Sequence, residues 1–221
     1  MPTATVEDYL KAILLEEQRG GDALVTMGQV AAALEVAPGT VTSMVKTLDR
    51  AGLVAYEPYA GVRLSDEGRG TALRVLRRHR LIELFLVEKL GLDWSEVHDE
   101  AERLEHVMSD RLIEAIDEQL GRPRVDPHGD PIPDAGGALD EPEWIDLREA
   151  PADRRLRVAR VSDQDETFLR FVERRGLKPG AEVRIEQRDV EADAWVLDVA
   201  GRVVLLGGEA AAKIWIEPID P

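Results

Sequence analysis

Apolar residues recur along the start of the chain at helical spacing. Val6, Leu10, Ile13 and Leu14 share one face of a helix predicted over 4–19, which Gly20-Gly21 ends. Thr26, followed three residues later by Gln29, is a capping-box signature, so a second, short helix should open there and run to about Glu35. A brief turn at Val36-Ala37 leads to Pro38, whose missing N–H suits the first turn of a helix. Val41, Met44, Val45 and Leu48 carry that third helix to a stop at Gly52. Two short helices joined so tightly make a helix-turn-helix. Residues 53–56 and 62–64 then pattern as two short strands around a Pro-Tyr-Ala-Gly turn, a hairpin that reads as a wing.

The helical period resumes at Ser65 and predicts a long helix to Leu90, broken at Gly91. Another is expected from near Ser95 to Leu120, with Gly121 and Pro123 as stop signals. Residues 122–153 are rich in Pro, Gly and Asp without apolar periodicity and read as a linker. Beyond them RLRVARV, AEVRIEQ, AWVLDVAG and RVVLLGG alternate as short strands, with one helix of about ten residues over 166–175 among them. That is a small β-barrel-like domain. The expected class is α+β: a winged helix-turn-helix over 1–73, a helical domain over 74–121, the linker, and the β domain over 154–221.

Composition changes this picture in two ways. None of the 221 residues is Cys, which removes disulfides and thiolate metal sites. No apolar stretch approaches the roughly 20 residues that span a bilayer. The opening MPTATVEDYL also lacks the basic and apolar regions of a signal peptide. The expectation is a soluble, cytoplasmic protein with no membrane partner. The net charge of −16, however, opposes the basic footprint usual in DNA binders. Either the acid solubilises the surface, or carboxylates cluster where a cation must neutralise them.

A recognition helix turns short polar and basic side chains of its N-terminal half toward the major groove. Pro38, Thr40, Thr42, Ser43 and Lys46 fit that role, with Arg50 at the helix end and Arg63 in the wing placed for backbone contacts. The competing reading is an exposed helix face that Thr40 and Ser43 merely cap and solvate.

The central helices carry the candidate metal chemistry. His79 and Glu83 are one turn apart, while His98, Glu102, Glu105 and His106 fall at i, i+4, i+7 and i+8 of the next predicted helix, on one face. Imidazole nitrogen with carboxylate oxygen suits Mn(II), Fe(II), Co(II) or Zn(II). Ordinary polar pairing on a helix surface is the alternative, and it would leave a winged-helix regulator that senses an organic ligand. A metalloenzyme fits less well, since the repeated Glu-x-x-His step of di-iron carboxylate bundles is absent and no nucleophile is framed by a motif. His128, in the Pro-Gly stretch, reads as a loop residue.

Several segments together resemble the diphtheria toxin repressor family of iron- and manganese-dependent regulators: VEDYLKAI, PGTVTSMVKTLDRAGLV, RRHRLIELFLVEKLGL, VHDEAERLEHVMSD, DPHGDPIP and LKPGAEV. The resemblance implies a homodimer that represses metal-homeostasis genes by binding double-stranded operator DNA when divalent metal is bound. It also implies an SH3-like C-terminal β-barrel, and dimer contacts from the helices over 65–120, which would suit the apolar run Leu81, Ile82, Leu84, Phe85 and Leu86. One implied site comprises His79, Glu83 and His98 plus an acidic residue of the SH3-like domain, Asp165 first and Glu166 second. The other comprises Asp8, Glu102, Glu105 and His106. Asp8 and Glu102 stand where the iron-sensing branch has Met and Cys, and oxygen in place of sulfur favours Mn(II), with Fe(II) as second choice. Lys11 stands where the manganese-responsive branch often has Glu, which argues against that branch's two-ion cluster.

Overall fold

A computed structural model describes residues 3–21, 23–140, 142–152 and 154–219. The outermost limits of the first and last expected domains therefore fall outside the described residues. The chain divides into two compact units. The first comprises the residues up to His79 with Leu104–Met108 and Pro133–Leu139. The second comprises Arg80–Arg103, Ser109–Ile132 and the residues from Asp140 onward.

In the first unit α1 (Ala4–Gly20) starts where the Thr3 side chain accepts from the Val6 N–H. The capping box at Thr26 and Gln29 opens α2 (Met27–Ala33). Pro38 occupies the first turn of α3 (Pro38–Arg50). The wing is an antiparallel hairpin of β1 (Val54–Glu57) and β2 (Gly61–Leu64), with Val54 opposite Leu64 and Glu57 opposite Gly61. The predicted apolar faces converge on one core containing Leu10, Ile13, Leu14, Val30, Val41, Val45, Leu48 and Val62. Full burial of each large aliphatic side chain contributes about 1.5–3 kcal/mol, so the core fixes the angle at which α3 is presented.

The long helix α4 (Asp66–Leu90) contributes residues to both units. In the second unit Leu81, Ile82, Leu84 and Leu86 of the expected run are buried within the single chain, while Phe85 is half-buried, so of that run Phe85 is the residue left part-exposed. The single helix expected from Ser95 to Leu120 is instead two, α5 (Val97–Leu104) and α6 (Asp110–Gln119). The interruption has a local cause: the Ser109 side chain accepts from the Leu112 N–H and starts α6 afresh.

The C-terminal sheet has six antiparallel strands in the order β3 (Ile145–Asp146), β8 (Ile214–Pro218), β4 (Leu156–Val161), β5 (Glu182–Asp189), β6 (Ala194–Val199) and β7 (Arg202–Gly207). Helix α7 (Glu166–Arg174) and the one-turn α8 (Gly208–Ala211) complete it. The sheet is open between its edge strands rather than a closed barrel. β3 and β8 are additions to the expected strands, and β8 shows its signal in the alternation of Ile214 and Ile216. Val158, Ile185, Leu197 and Ile216 fill the core beneath the sheet. The β4–β8 register shifts between Val158 and Arg160, leaving a bulge at Ala159.

Candidate metal centre and nucleic-acid interface

The first unit gathers one cluster. The segment after α5 places Glu105, fully buried, against α1 and the α4 residue His79. Glu105 Oε1 accepts from the Lys11 ammonium at 2.6 Å, and Oε2 lies 2.6 Å from His79 Nδ1. A carboxylate only accepts, so His79 Nδ1 carries a proton. His106 sits between Glu7, 2.7 Å from Nδ1, and Asp8, 2.7 Å from Nε2. Burial lowers the His106 pKa, but hydrogen bonds to Glu7 and Asp8 and the charge of Glu105 outweigh it and the net shift is upward. Asp8, Glu105 and His106 offer donor atoms within 4.8 Å of one another.

The second unit gathers another. His98 Nδ1 lies 3.3 Å from Glu83 Oε1, and its Nε2 is 3.8 Å from Glu102 Oε1. On its other side Glu83 faces the loop over 124–132, where Glu83, Asp126 and His128 are all buried with donor atoms within 4.8 Å. His128 Nε2 is 2.9 Å from the Trp94 carbonyl, which only accepts, so that nitrogen donates and Nδ1 holds the lone pair. Nδ1 is buried without a hydrogen-bond partner and lies 3.8 Å from Glu83 Oε2. Burial, then the charges of Asp130 and Glu83, push the Asp126 pKa well up. A buried imidazole nitrogen facing two carboxylates is a donor set that suits a divalent cation, although protonation of Asp126 and the Arg80 guanidinium 4.0 Å from it also relieve the buried negative charge.

The remaining expected ligands fall elsewhere. Asp165 caps α7, its Oδ1 accepting from the Phe168 N–H at 2.8 Å, and Glu166 pairs with Arg170 at 2.8 Å. Neither joins a metal-sized cluster among the described residues. Because α5 ends at Leu104, Glu105 and His106 are not part of that helix. They lie in the turn that follows it.

On α3 the candidates Pro38, Thr40, Ser43, Lys46 and Arg50 are exposed, as is Arg63 on β2, while Thr42 is half-buried. The Thr42 and Ser43 hydroxyls each donate to a carbonyl one turn back, at 3.0 Å. Each oxygen can still accept. The Arg50 guanidinium folds along the helix onto the Lys46 carbonyl and Thr47 hydroxyl, both at 3.1 Å.

Family models match three consecutive blocks. They are the N-terminal DNA binding domain of iron dependent repressors over 1–62, their metal binding and dimerisation domain over 65–134, and an FeoA domain over 145–218. A diphtheria toxin repressor from Corynebacterium efficiens is 34% identical over 98% of this chain and 96% of its own length. The chain belongs to the diphtheria toxin repressor family. It is a metal-dependent transcriptional repressor. Among solved structures, a manganese-dependent transcriptional repressor in complex with manganese is 39% identical, with a TM-score of 0.89 over 97% of this chain and all of that one. ScaR with bound Cd2+ is 36% identical, with a TM-score of 0.81 over 97% and 99%. The family consists of repressors rather than enzymes, so the metalloenzyme alternative falls away.

For a repressor of this family the informative omission from the sequence reading is the pair Asp126 and His128. The surrounding Pro and Gly signal a turn, and a turn it is: Asp126 Oδ1 accepts from the His128 and Asp130 N–H groups at 2.8 and 2.9 Å. The overlooked signal is the spacing Asp-x-His-x-Asp itself, three residues of metal-ligating type within five positions.

Proposed function

We propose that this chain is a Mn(II)-responsive repressor that binds operator DNA as a homodimer, with Fe(II) a weaker co-repressor. The reading is carried by donor sets built only from carboxylate and imidazole. Asp8, Glu105 and His106 form one cluster, and Glu83, Asp126 and His128, with His98 against Glu83, form the other. No sulfur donor belongs to either, which favours a hard divalent ion over softer ones. Its manganese-bound structural relative, similar over nearly the full length of both chains, supports the same choice.

When bound, the cation supplies positive charge shared among several donors. Asp8 is on α1, and His106 and Glu105 lie on the segment after α5, so joint ligation ties that segment to α1. Helix α1 packs on α2 and β2, and α2 packs on α3. Fixing α1 therefore restrains the helix-turn-helix that carries Thr40, Thr42, Ser43 and Lys46. His79 steadies Glu105 through its Nδ1–H. In a dimer, two such restrained domains would address half-sites at one spacing.

Fluorescence anisotropy on the chain's own upstream DNA tests this, with chelated, Mn(II)-, Fe(II)- and Zn(II)-loaded protein compared at fixed ionic strength. Binding only with metal, tightest with Mn(II), is expected. Equal affinity in chelator would refute metal activation, and a clear preference for Zn(II) would refute the argument from hard donors.

A further inference from the structure

Three features of the second unit converge on the loop that carries Asp126 and His128. The backbone N–H of Val161, on β4, donates to the His128 carbonyl at 2.9 Å. Arg160 Nη2 lies 2.7 Å from Asp130 Oδ1. Between the ligands and that ion pair, Gly129 comes so close to the strand that an added Cβ would stand 2.0 Å from the Ala159 carbonyl oxygen. Residues 159–161 are thus all engaged by residues 128–130.

The strand is specialised for the task. A regular β4 would pair each residue in turn with β8, but the register slips between Val158 and Arg160. A bulge bends its strand and re-aims side chains. Here the bulged residue is Ala159, whose carbonyl receives Gly129, and the next two residues hold Asp130 and His128. Gly129 has φ +87°, so a side chain there is disfavoured by conformation as well as by contact.

Asp130 is held from the other side too. Arg80 of α4 lies 3.4 Å from Asp130 Oδ1 and 4.0 Å from Asp126 Oδ2, and it donates to the Pro131 carbonyl. Asp126 in turn bonds the His128 and Asp130 amides. The Asp130 carboxylate therefore sits between a helix arginine and a strand arginine.

We propose that the bulged segment of β4 positions the Asp126–His128 ligand pair, with Arg160 as the positioning residue, so that the C-terminal domain sets metal affinity by holding the ligand loop. This rests on the reading that Glu83, Asp126 and His128 take the cation. The domain acts here through backbone and ion-pair contacts to the loop, whereas the expected donors Asp165 and Glu166 serve α7.

The experiment is a Mn(II) titration of the full chain, following free Mn(II) by electron paramagnetic resonance, for the parent, His128→Ala, Arg160→Met and Arg160→Lys. Thermal unfolding in chelator is measured alongside. Outer contacts of this kind typically change metal affinity by about 10–100-fold. Arg160→Met is expected to weaken one class of Mn(II) site about tenfold or more, and Arg160→Lys to restore much of it. His128→Ala should abolish that same class. Arg160→Met binding like the parent, while His128→Ala loses the class, would overturn the positioning role and leave the site standing. Undiminished binding by His128→Ala would overturn the site and the proposal with it. A purely structural Arg160 would lower the unfolding temperature in chelator without separating the affinities of Arg160→Met and Arg160→Lys, and that result also counts against the proposal.

Discussion

The Lys11 ammonium and the Glu105 carboxylate meet at 2.6 Å with side chains only 9% and 0% exposed. The pair places a cation of the chain's own inside a cluster proposed to hold a metal. Breaking a buried pair by removing one partner costs about 3–5 kcal/mol, because the other charge stays buried and uncompensated. Lys11→Met is therefore expected to destabilise the chelated protein by that order and to gain more from Mn(II) than the parent does. Denaturant unfolding with and without metal checks it, and an unchanged metal increment would show that Lys11 and the cation do not share Glu105.

Asp8 is the only α1 residue in the Asp8–Glu105–His106 cluster. Asp8→Ala is expected to lower operator affinity in saturating Mn(II) by tenfold or more and to leave affinity in chelator unchanged. Anisotropy titrations of the parent and Asp8→Ala, with and without Mn(II), decide the matter. If metal-dependent affinity survived intact, the coupling through α1 would be wrong.

Two groups at the proposed sites have raised pKa values, Asp126 and His106. A raised value stabilises the fold fully below the unfolded pKa, and that contribution is lost as pH rises through the folded one. Unfolded values are about 6.5 for His and 3.9 for Asp. The His106 contribution is thus complete below about pH 6.5 and fades above it, and the Asp126 contribution fades from about pH 3.9 upward. Ligation requires both deprotonated, so metal binding releases protons. The gap in unfolding temperature between Mn(II)-loaded and chelated protein should widen from pH 6 to pH 8, and calorimetry in buffers of different ionisation enthalpy should detect the protons released. A gap independent of pH would count against ligation by these two residues.

Lys46 stands exposed on α3. Lys46→Ala should weaken operator and non-operator DNA alike, and reduce the slope of log affinity against log salt by about 1. A loss confined to one operator sequence, with the slope unchanged, would place Lys46 at a base edge instead.

Local signals were enough for the winged domain. The Thr26–Gln29 capping box, Pro38 and the apolar spacing on α3 each act within one helical turn, and the folded chain obeys all three. Ser109 shows where such reading fails. It lies inside an apolar period that runs on to Leu120, so the period masks the cap that divides α5 from α6. The same interruption puts Glu105 and His106 in the turn after α5, where helical spacing does not place them, and there their donor atoms still lie within 4.8 Å of Asp8. Asp126 and His128 were hidden for a different reason. Their significance depends on Glu83, about forty positions away in the chain, and on a lone pair fixed by the Trp94 carbonyl, neither of which has a local sequence signature.

Glu7 and His106, which meet at 2.7 Å, are 99 positions apart in the chain. A cation shared by Asp8, Glu105 and His106 would close a loop of nearly that length in a protein with no cysteine. Cross-linking about 100 residues removes roughly 4.7 kcal/mol of unfolded-chain entropy on the simplest model. Moving a two-state equilibrium from 1:99 to 99:1 takes about 5.5 kcal/mol. Ligation of that kind would make the cluster a reversible staple, fastened and released by the supply of an ion, in place of a permanent covalent link.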